Sequence, residues 1–169
     1  MADITHGTWI KDGKAVDKAF SNGKQVYGRN LFLNSGKLLS VTGTNTSNQA
    51  VRPYLLANGY NVSSLASALG TRFTVSFDWE VSGSSPSGTF LAQWNDEPYS
   101  VTPFFTVSSS NTSGHISNTF SASTDSKNTA NMFGFRLDNF VGTLTVYNMK
   151  LEKGNTATPH SIAPEDILN

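Results

Sequence analysis

The stretch Arg72-Phe73-Thr74-Val75-Ser76-Phe77-Asp78-Trp79-Glu80-Val81 decides the fold. Its residues alternate without a break. Phe73, Val75, Phe77, Trp79 and Val81 share one face, and Thr74, Ser76, Asp78 and Glu80 share the other. A period of two is that of a half-buried β-strand, in which successive side chains point to opposite sides. The same rhythm returns in Met132-Phe133-Gly134-Phe135-Arg136-Leu137-Asp138, with Phe133, Phe135 and Leu137 on the inner face.

Working outward from these two strands, further short strands are expected at 89–94, 102–107 and 143–152. Weaker alternation marks 115–121. In the last strand the phase changes midway. Leu144 and Val146 share one parity, Tyr147, Met149 and Leu151 the other, so a β-bulge is expected near Val146-Tyr147. Arg52-Pro53-Tyr54-Leu55-Leu56 is a strand that Pro53 pushes towards an edge. The segment 82–88, rich in Ser and Gly, is expected to be a loop. One helical signal stands out at 61–70. It has Asn or Ser to cap, Leu65 and Leu69 at i, i+4, and Gly70 to stop it. About eight strands separated by polar loops, with no strand–helix–strand rhythm, indicate an all-β fold. We expect a jelly-roll β-sandwich of two antiparallel sheets with one short connecting helix.

Residues 1–28 have another texture. Lys11-Asp12-Gly13-Lys14 is echoed by Ser21-Asn22-Gly23-Lys24. Asp-Gly and Asn-Gly suit type I′ turns, whose central residues need positive φ. This segment is expected to be a hairpin-rich leader. Residues 29–152 are expected to form the sandwich, and 153–169, with Pro159 and Pro164, an extended strap.

Composition narrows the function. The chain has 169 residues, 12 basic and 12 acidic, for a formal net charge of zero. Affinity for nucleic acid grows with the number of Lys/Arg–phosphate contacts, so no nucleic-acid partner is expected. No polybasic patch marks an anionic membrane, and no apolar run approaches the length of a membrane span. The first residues have no basic start and no apolar core, unlike a signal peptide. With no Cys, there is no disulfide framework and no Cys-ligated zinc. Ser, Thr and Asn make up 56 residues, and 11 Phe, 5 Tyr and 3 Trp accompany them. Such a chain suits contact with a neutral polar ligand.

No catalytic residue is expected. His6, His115 and His160 show no metal-ligand spacing, and neither a G-x-S-x-G nor a phosphate loop occurs. Asp78 and Glu80 would sit about 6–7 Å apart on one strand face, a spacing many solvated strands show by chance. Asn34, Asn148 and Glu152 offer oxygen ligands of the kind Ca²⁺ takes, but there is no contiguous ligand loop. No cofactor is therefore expected, and a structural Ca²⁺ is left open.

Carbohydrate binding is better motivated. Sugar rings stack their C–H faces on aromatic side chains while their hydroxyls bond to polar groups. Trp94-Asn95-Asp96-Glu97-Pro98-Tyr99 puts two aromatics beside three polar side chains. Trp94 also shares parity with Phe90, which would make it a core residue. We expect Trp94 and Tyr99 as stacking platforms. Asn95, Asp96, Arg136, Asp138 and His115 are expected as hydrogen-bonding groups.

The opening Val26-Tyr27-Gly28-Arg29-Asn30-Leu31-Phe32-Leu33-Asn34-Ser35-Gly36 and the closing Asn148-Met149-Lys150-Leu151-Glu152-Lys153-Gly154, followed by Thr158-Pro159-His160-Ser161, carry a resemblance. The layout resembles carbohydrate-binding modules in tail-tip and baseplate proteins of phages infecting lactic acid bacteria. In particular it is similar to the module of enlarged distal tail proteins of Lactobacillus phages. The resemblance spans about residues 8–166. It implies a non-enzymatic jelly roll at the virion tail tip, binding host cell-wall polysaccharide and joined to other tail or baseplate subunits through its parent protein. The alternatives from other classes are a purely structural baseplate decoration and a glycan depolymerase. His160 departs from the pattern, standing where similar tails place Trp. The motifs are structural and identify no sugar-contacting residue.

Overall fold

The computed structural model describes residues 3–168; the outermost residues of the expected leader (1–2) and strap (169) lie outside them. The leader holds β1 (Asp3–Thr5), β2 (Thr8–Lys11), β3 (Lys14–Ala15), β4 (Lys18–Ser21) and β5 (Lys24–Gly28). The body follows with β6 (Leu39–Thr42), β7 (Gln49–Leu55), α1 (Val62–Leu69), β8 (Arg72–Trp94), β9 (Phe105–Val107), β10 (Ser113–Ser121) and β11 (Met132–Lys153), and a last turn, α2 (Glu165–Leu168), ends the strap.

β8 and β11 are 23 and 22 residues long and pair antiparallel along their whole length. This ribbon is folded over on itself. Trp79 in the first half of β8 lies 5.1 Å from Phe90 in its second half, and Phe77 lies 5.2 Å from Phe135 of β11. Each half is the centre of one layer. The first layer runs β10–β8–β11–β6, through residues 72–82 and 143–153 of the long strands. The second runs β9–β8–β11–β7, through residues 87–94 and 132–141. The expected antiparallel sandwich is present. Its two layers are, however, one continuous ladder of hydrogen bonds rather than two separate sheets.

The segment 82–88 stays in the ladder as well, contrary to the expected loop. Between the Thr143↔Ser82 and Val141↔Ser87 pairs β8 has extra residues, which bulge out where the ribbon turns from one layer to the other. Gly88 sits at this corner with φ +104, and a Cβ there would lie 2.5 Å from the Asn139 carbonyl. The bulge expected at Val146-Tyr147 falls one step later. Tyr147 still pairs with Asp78, Lys150 pairs with Ser76, and Asn148 takes φ 54. The slip keeps Leu144 and Val146 on the inner face together with Met149 and Leu151, all fully buried.

The inner faces form one aromatic-rich core. Phe133 packs 4.7 Å from Phe32 and 4.9 Å from Trp94. α1 closes one end of it with Val62, Leu65 and Ala66. Asn61 Oδ1 accepts from Ser64 N–H while Ser64 Oγ accepts from Asn61 N–H, a reciprocal cap that satisfies free helix donors.

Leader and strap together cover the outer face of the first layer around Lys150 and Glu152. The leader turns at Asp12-Gly13 and Asn22-Gly23 as expected. A third turn, at His6-Gly7, also has both residues at positive φ. Thr8 Oγ1 donates to the Ile162 carbonyl at 2.6 Å, and Gly28 N–H donates to Thr158 Oγ1 at 3.1 Å. Beneath this cover Lys150 and Glu152 are fully buried, 3.6 Å apart. Lys150 Nζ donates to Thr158 Oγ1 and the Pro159 carbonyl and sits 5.3 Å from the Tyr27 ring centre. Glu152 accepts from Thr158 N–H and Oγ1–H. Burial pushes the Lys150 ammonium down and the Glu152 carboxyl up, each opposed by the other's charge.

The opening and closing motifs meet at Asn30. Its Nδ2 donates to Ser35 Oγ and to the carbonyls of Met149 and Ser161. Its Oδ1 accepts from the N–H groups of Phe32 and Leu151. One buried amide thus ties the start of the body to its last strand and to the strap.

Candidate functional site: a cleft across the second layer

The outer face of the second layer is open and hollowed. A cleft of about 630 Å³ crosses it, from Asn48 and Arg52 at the β7 side, past Arg136 on β11 and Gln93 at the end of β8, to Asn95, Pro98, Tyr99 and Ser100. The far wall is the chain returning from β8. Trp94 N–H donates to the Tyr99 carbonyl at 2.7 Å, Gln93 and Ser100 form a bridge, and Val101 N–H donates to the Ala92 carbonyl at 2.9 Å. The Glu97–Pro98 bond is cis and Tyr99 has φ 51. Tyr99 is 44% exposed at the rim.

Arg136 points outward because Phe133, Phe135 and Leu137 take the inner face. Its Nε and Nη2 donate to the two carboxylate oxygens of Asp138 at 2.8 and 2.9 Å. Its guanidinium carbon lies 5.7 Å from the ring centre of Phe104, which is 49% exposed. Asp138 also accepts from the Asn48 N–H at 2.7 Å. The Arg136 hydrogen bonds, with help from Asn48 and against partial burial, hold the Asp138 carboxyl below its ordinary range. Arg52 crosses from β7 and donates from Nε to the Trp94 carbonyl at 3.2 Å.

The expected site residues separate into groups. Tyr99, Asn95 and Arg136 come together in the cleft, and Asp138 stands behind Arg136. Trp94 is a correction. It is 1% exposed, lies in the core among Phe32, Phe120 and Phe133, and has no face open to a sugar. Its parity with Phe90 decided its place. Asp96 is a second correction. It is absent from the cleft wall, and its oxygens accept from Glu97 N–H and Thr129 Oγ1, so it shapes the loop. Asn95 is partly spent in the same way, its Oδ1 accepting from Asn131 and Met132 N–H groups.

His115 is the third correction. It projects from β10 on the outer side of the first layer, on the opposite side of the sandwich from Arg136. There its Nδ1 lies 2.7 Å from Asp78 Oδ1, while Asn148 Nδ2 donates to Asp78 Oδ2 at 2.7 Å. Burial works to raise the Asp78 carboxyl, but these bonds outweigh it and the net direction is down. Asn34, Asn148 and Glu152 do not converge either, since Asn148 serves Asp78 and Glu152 serves Lys150 and Thr158. Among the described residues, no group of three or more His, Asp or Glu side chains is placed to hold a metal ion.

Arg52, Gln93, Asn48 and Ser100 line the cleft without having been expected there. Strand parity alone puts Arg52 on the same face as buried Tyr54. A register shift reverses this. Phe133 pairs with Tyr54 but Phe135 pairs with Val51, so β7 carries one extra residue and Arg52 turns outward. Gly134 makes room for the shift, for a Cβ there would lie 2.0 Å from the Val51 carbonyl oxygen. A second hollow of about 330 Å³, between 34–39 and Pro53-Tyr54, presents aliphatic side chains and Lys37 but no exposed aromatic face.

No protein-family model and no curated protein matches the sequence. Solved structures similar to this chain include the following two. One, described as "CBM4 structure and function", is 16% identical with a TM-score of 0.43, over 84% of this chain and 92% of that one. The other is the tripod BppUct-A-L from the baseplate of bacteriophage Tuc2009. It is 16% identical with a TM-score of 0.50, over 82% of this chain and 59% of that one. This chain shares the fold of that phage baseplate protein. The match spans about three-fifths of its length.

Proposed function

We propose that this chain is a non-catalytic carbohydrate-binding module of a phage tail or baseplate protein, which holds host cell-wall saccharide during adsorption. The observation that carries the reading is the exposed Tyr99 ring at the rim of an open cleft in which Arg136 and Asn95 are already held by the protein. A ring face above and neutral amide and hydroxyl groups below are what a sugar's apolar faces and hydroxyl perimeter require. Prior ordering of Arg136 by Asp138 and of Asn95 by residues 131–132 lowers the entropic cost of binding.

The wall of the cleft supports binding over hydrolysis. None of its lining residues is acidic, whereas glycoside hydrolysis in most families needs two carboxylates across the scissile bond. The shared fold with a baseplate protein supports the tail location. Presented in several copies, weak single sites would gain about 10²–10⁴ in avidity.

A fluorescent fusion of the chain tests this. It should label susceptible lactic acid bacteria and their purified wall polysaccharide, and Tyr99→Ala should abolish the labelling. A folded fusion that labels neither would refute the binding reading in favour of structural decoration. New reducing ends on incubation would point instead to a depolymerase.

A further inference from the structure

We propose that the cleft takes an acidic saccharide, with Arg52 meeting a carboxylate or phosphate group carried on it. This rests on the reading of the cleft as a saccharide site and adds the charge of its ligand.

Two cations line the cleft and no carboxylate does. Their situations differ. The Arg136 guanidinium is engaged on two of its nitrogens by Asp138, which neutralises it. Arg52 has no carboxylate partner among the described residues. Its one protein bond is from Nε to the main-chain carbonyl of Trp94. That bond tethers the guanidinium and leaves both terminal nitrogens for a ligand. A guanidinium fork held in this way matches the two oxygens of a carboxylate or phosphate, and charge-assisted bonds of this kind are about twice as strong as neutral ones. Arg52 is only partly exposed, so solvent and salt screen it less than a charge on a free surface. Asn48, Gln93 and Ser100 stand around it to meet neutral hydroxyls. The chain as a whole has no net charge, so attraction to an anion would be local to this group.

The probe is purified wall polysaccharide from a lactic acid bacterium, immobilised in three forms. One is native, one is treated with hydrofluoric acid to remove phosphodiester-linked groups, and one is carbodiimide-activated and reduced to turn carboxylates into alcohols. The expected result is that one treatment weakens binding by tenfold or more and thereby names the acid. Arg52→Gln, checked for an unchanged melting curve, should bind the native form as weakly as the wild type binds the treated one. If neither treatment weakens binding while Tyr99→Ala does, the ligand is neutral and this proposal is overturned with the saccharide reading intact. If the wild type binds none of the three forms, both fall together.

Discussion

Arg136 and Asp138, two apart on one strand face, close a two-pronged ion pair at 2.8 and 2.9 Å that sets the floor of the cleft. Strand neighbours at i, i+2 project to the same side, so the pair needs no partner from another element. Its effect reaches further, because Asp138 also receives the Asn48 N–H and so anchors the start of β7.

The pair makes stability pH-dependent on the acid side. The Asp138 carboxyl is held below its ordinary value, mainly by Arg136. Its contribution is present above the unfolded carboxylate pKa of about 4 and is lost as pH falls through the folded value. The urea midpoint of the wild type should therefore drop below about pH 4 more steeply than that of Asp138→Asn. Near pH 7 the variant should be less stable by about 1 kcal/mol, since Arg136 is partly exposed and screened. Equal acid-side slopes would remove Asp138 as a contributor.

Trp94 and Tyr99 should separate folding from binding. Trp94→Ala leaves a cavity among Phe32, Phe120 and Phe133 and should cost about 3–5 kcal/mol. Tyr99→Ala removes a half-exposed ring and should cost less than about 1 kcal/mol. Chemical denaturation of both variants beside the labelling assay checks this. A Trp94 variant of near wild-type stability would contradict its place in the core.

Lys150 and Glu152 should respond as a unit. Lys150→Met leaves Glu152 buried without its cation and should cost about 3–5 kcal/mol. The double variant Lys150→Met/Glu152→Leu should recover much of that loss. A double-mutant cycle in urea measures the coupling, and additive losses would show that the two charges do not compensate each other.

Asn30→Ala should loosen the strap. It strips partners from the Met149 and Ser161 carbonyls and the Phe32 and Leu151 N–H groups, at a cost of about 3 kcal/mol or more. Cleavage near 155–162 by a broad-specificity protease should accelerate. An unchanged cleavage rate would show that the leader, Lys150 and Glu152 hold the strap without Asn30.

Gly134→Ala should move the cleft without touching a lining residue. Its Cβ meets the Val51 carbonyl, so the bulge that turns Arg52 outward must shift. Saccharide binding should fall by tenfold or more while the core spectrum of Trp94 stays native. Retained affinity would show that the position of Arg52 does not depend on that bulge.

Local patterning determined much of this protein. Alternation of apolar and polar residues is a property of the strand itself, so 72–81 and 132–138 announced their inner faces without any knowledge of neighbours. The Asn61 and Gly70 helix stops and the Asp12-Gly13 and Asn22-Gly23 turns are likewise written in a few adjacent residues. The motifs around Asn30 and Asn148 are each local, although only the fold reveals that the Asn30 amide joins them. Tyr99, Asn95, Arg136 and Asp138 were legible because they lie close in sequence to the cleft's two walls. Tertiary structure decided the rest. Which side of the sandwich a strand faces depends on how the long ribbon folds over, and that sent His115 away from Arg136. Whether Trp94 meets solvent depends on Phe32 and Phe133, which lie far from it along the chain. Parity gave Arg52 the wrong face, because a one-residue slip against Gly134 inverts every side chain beyond it, and a slip of that kind exists only between paired strands.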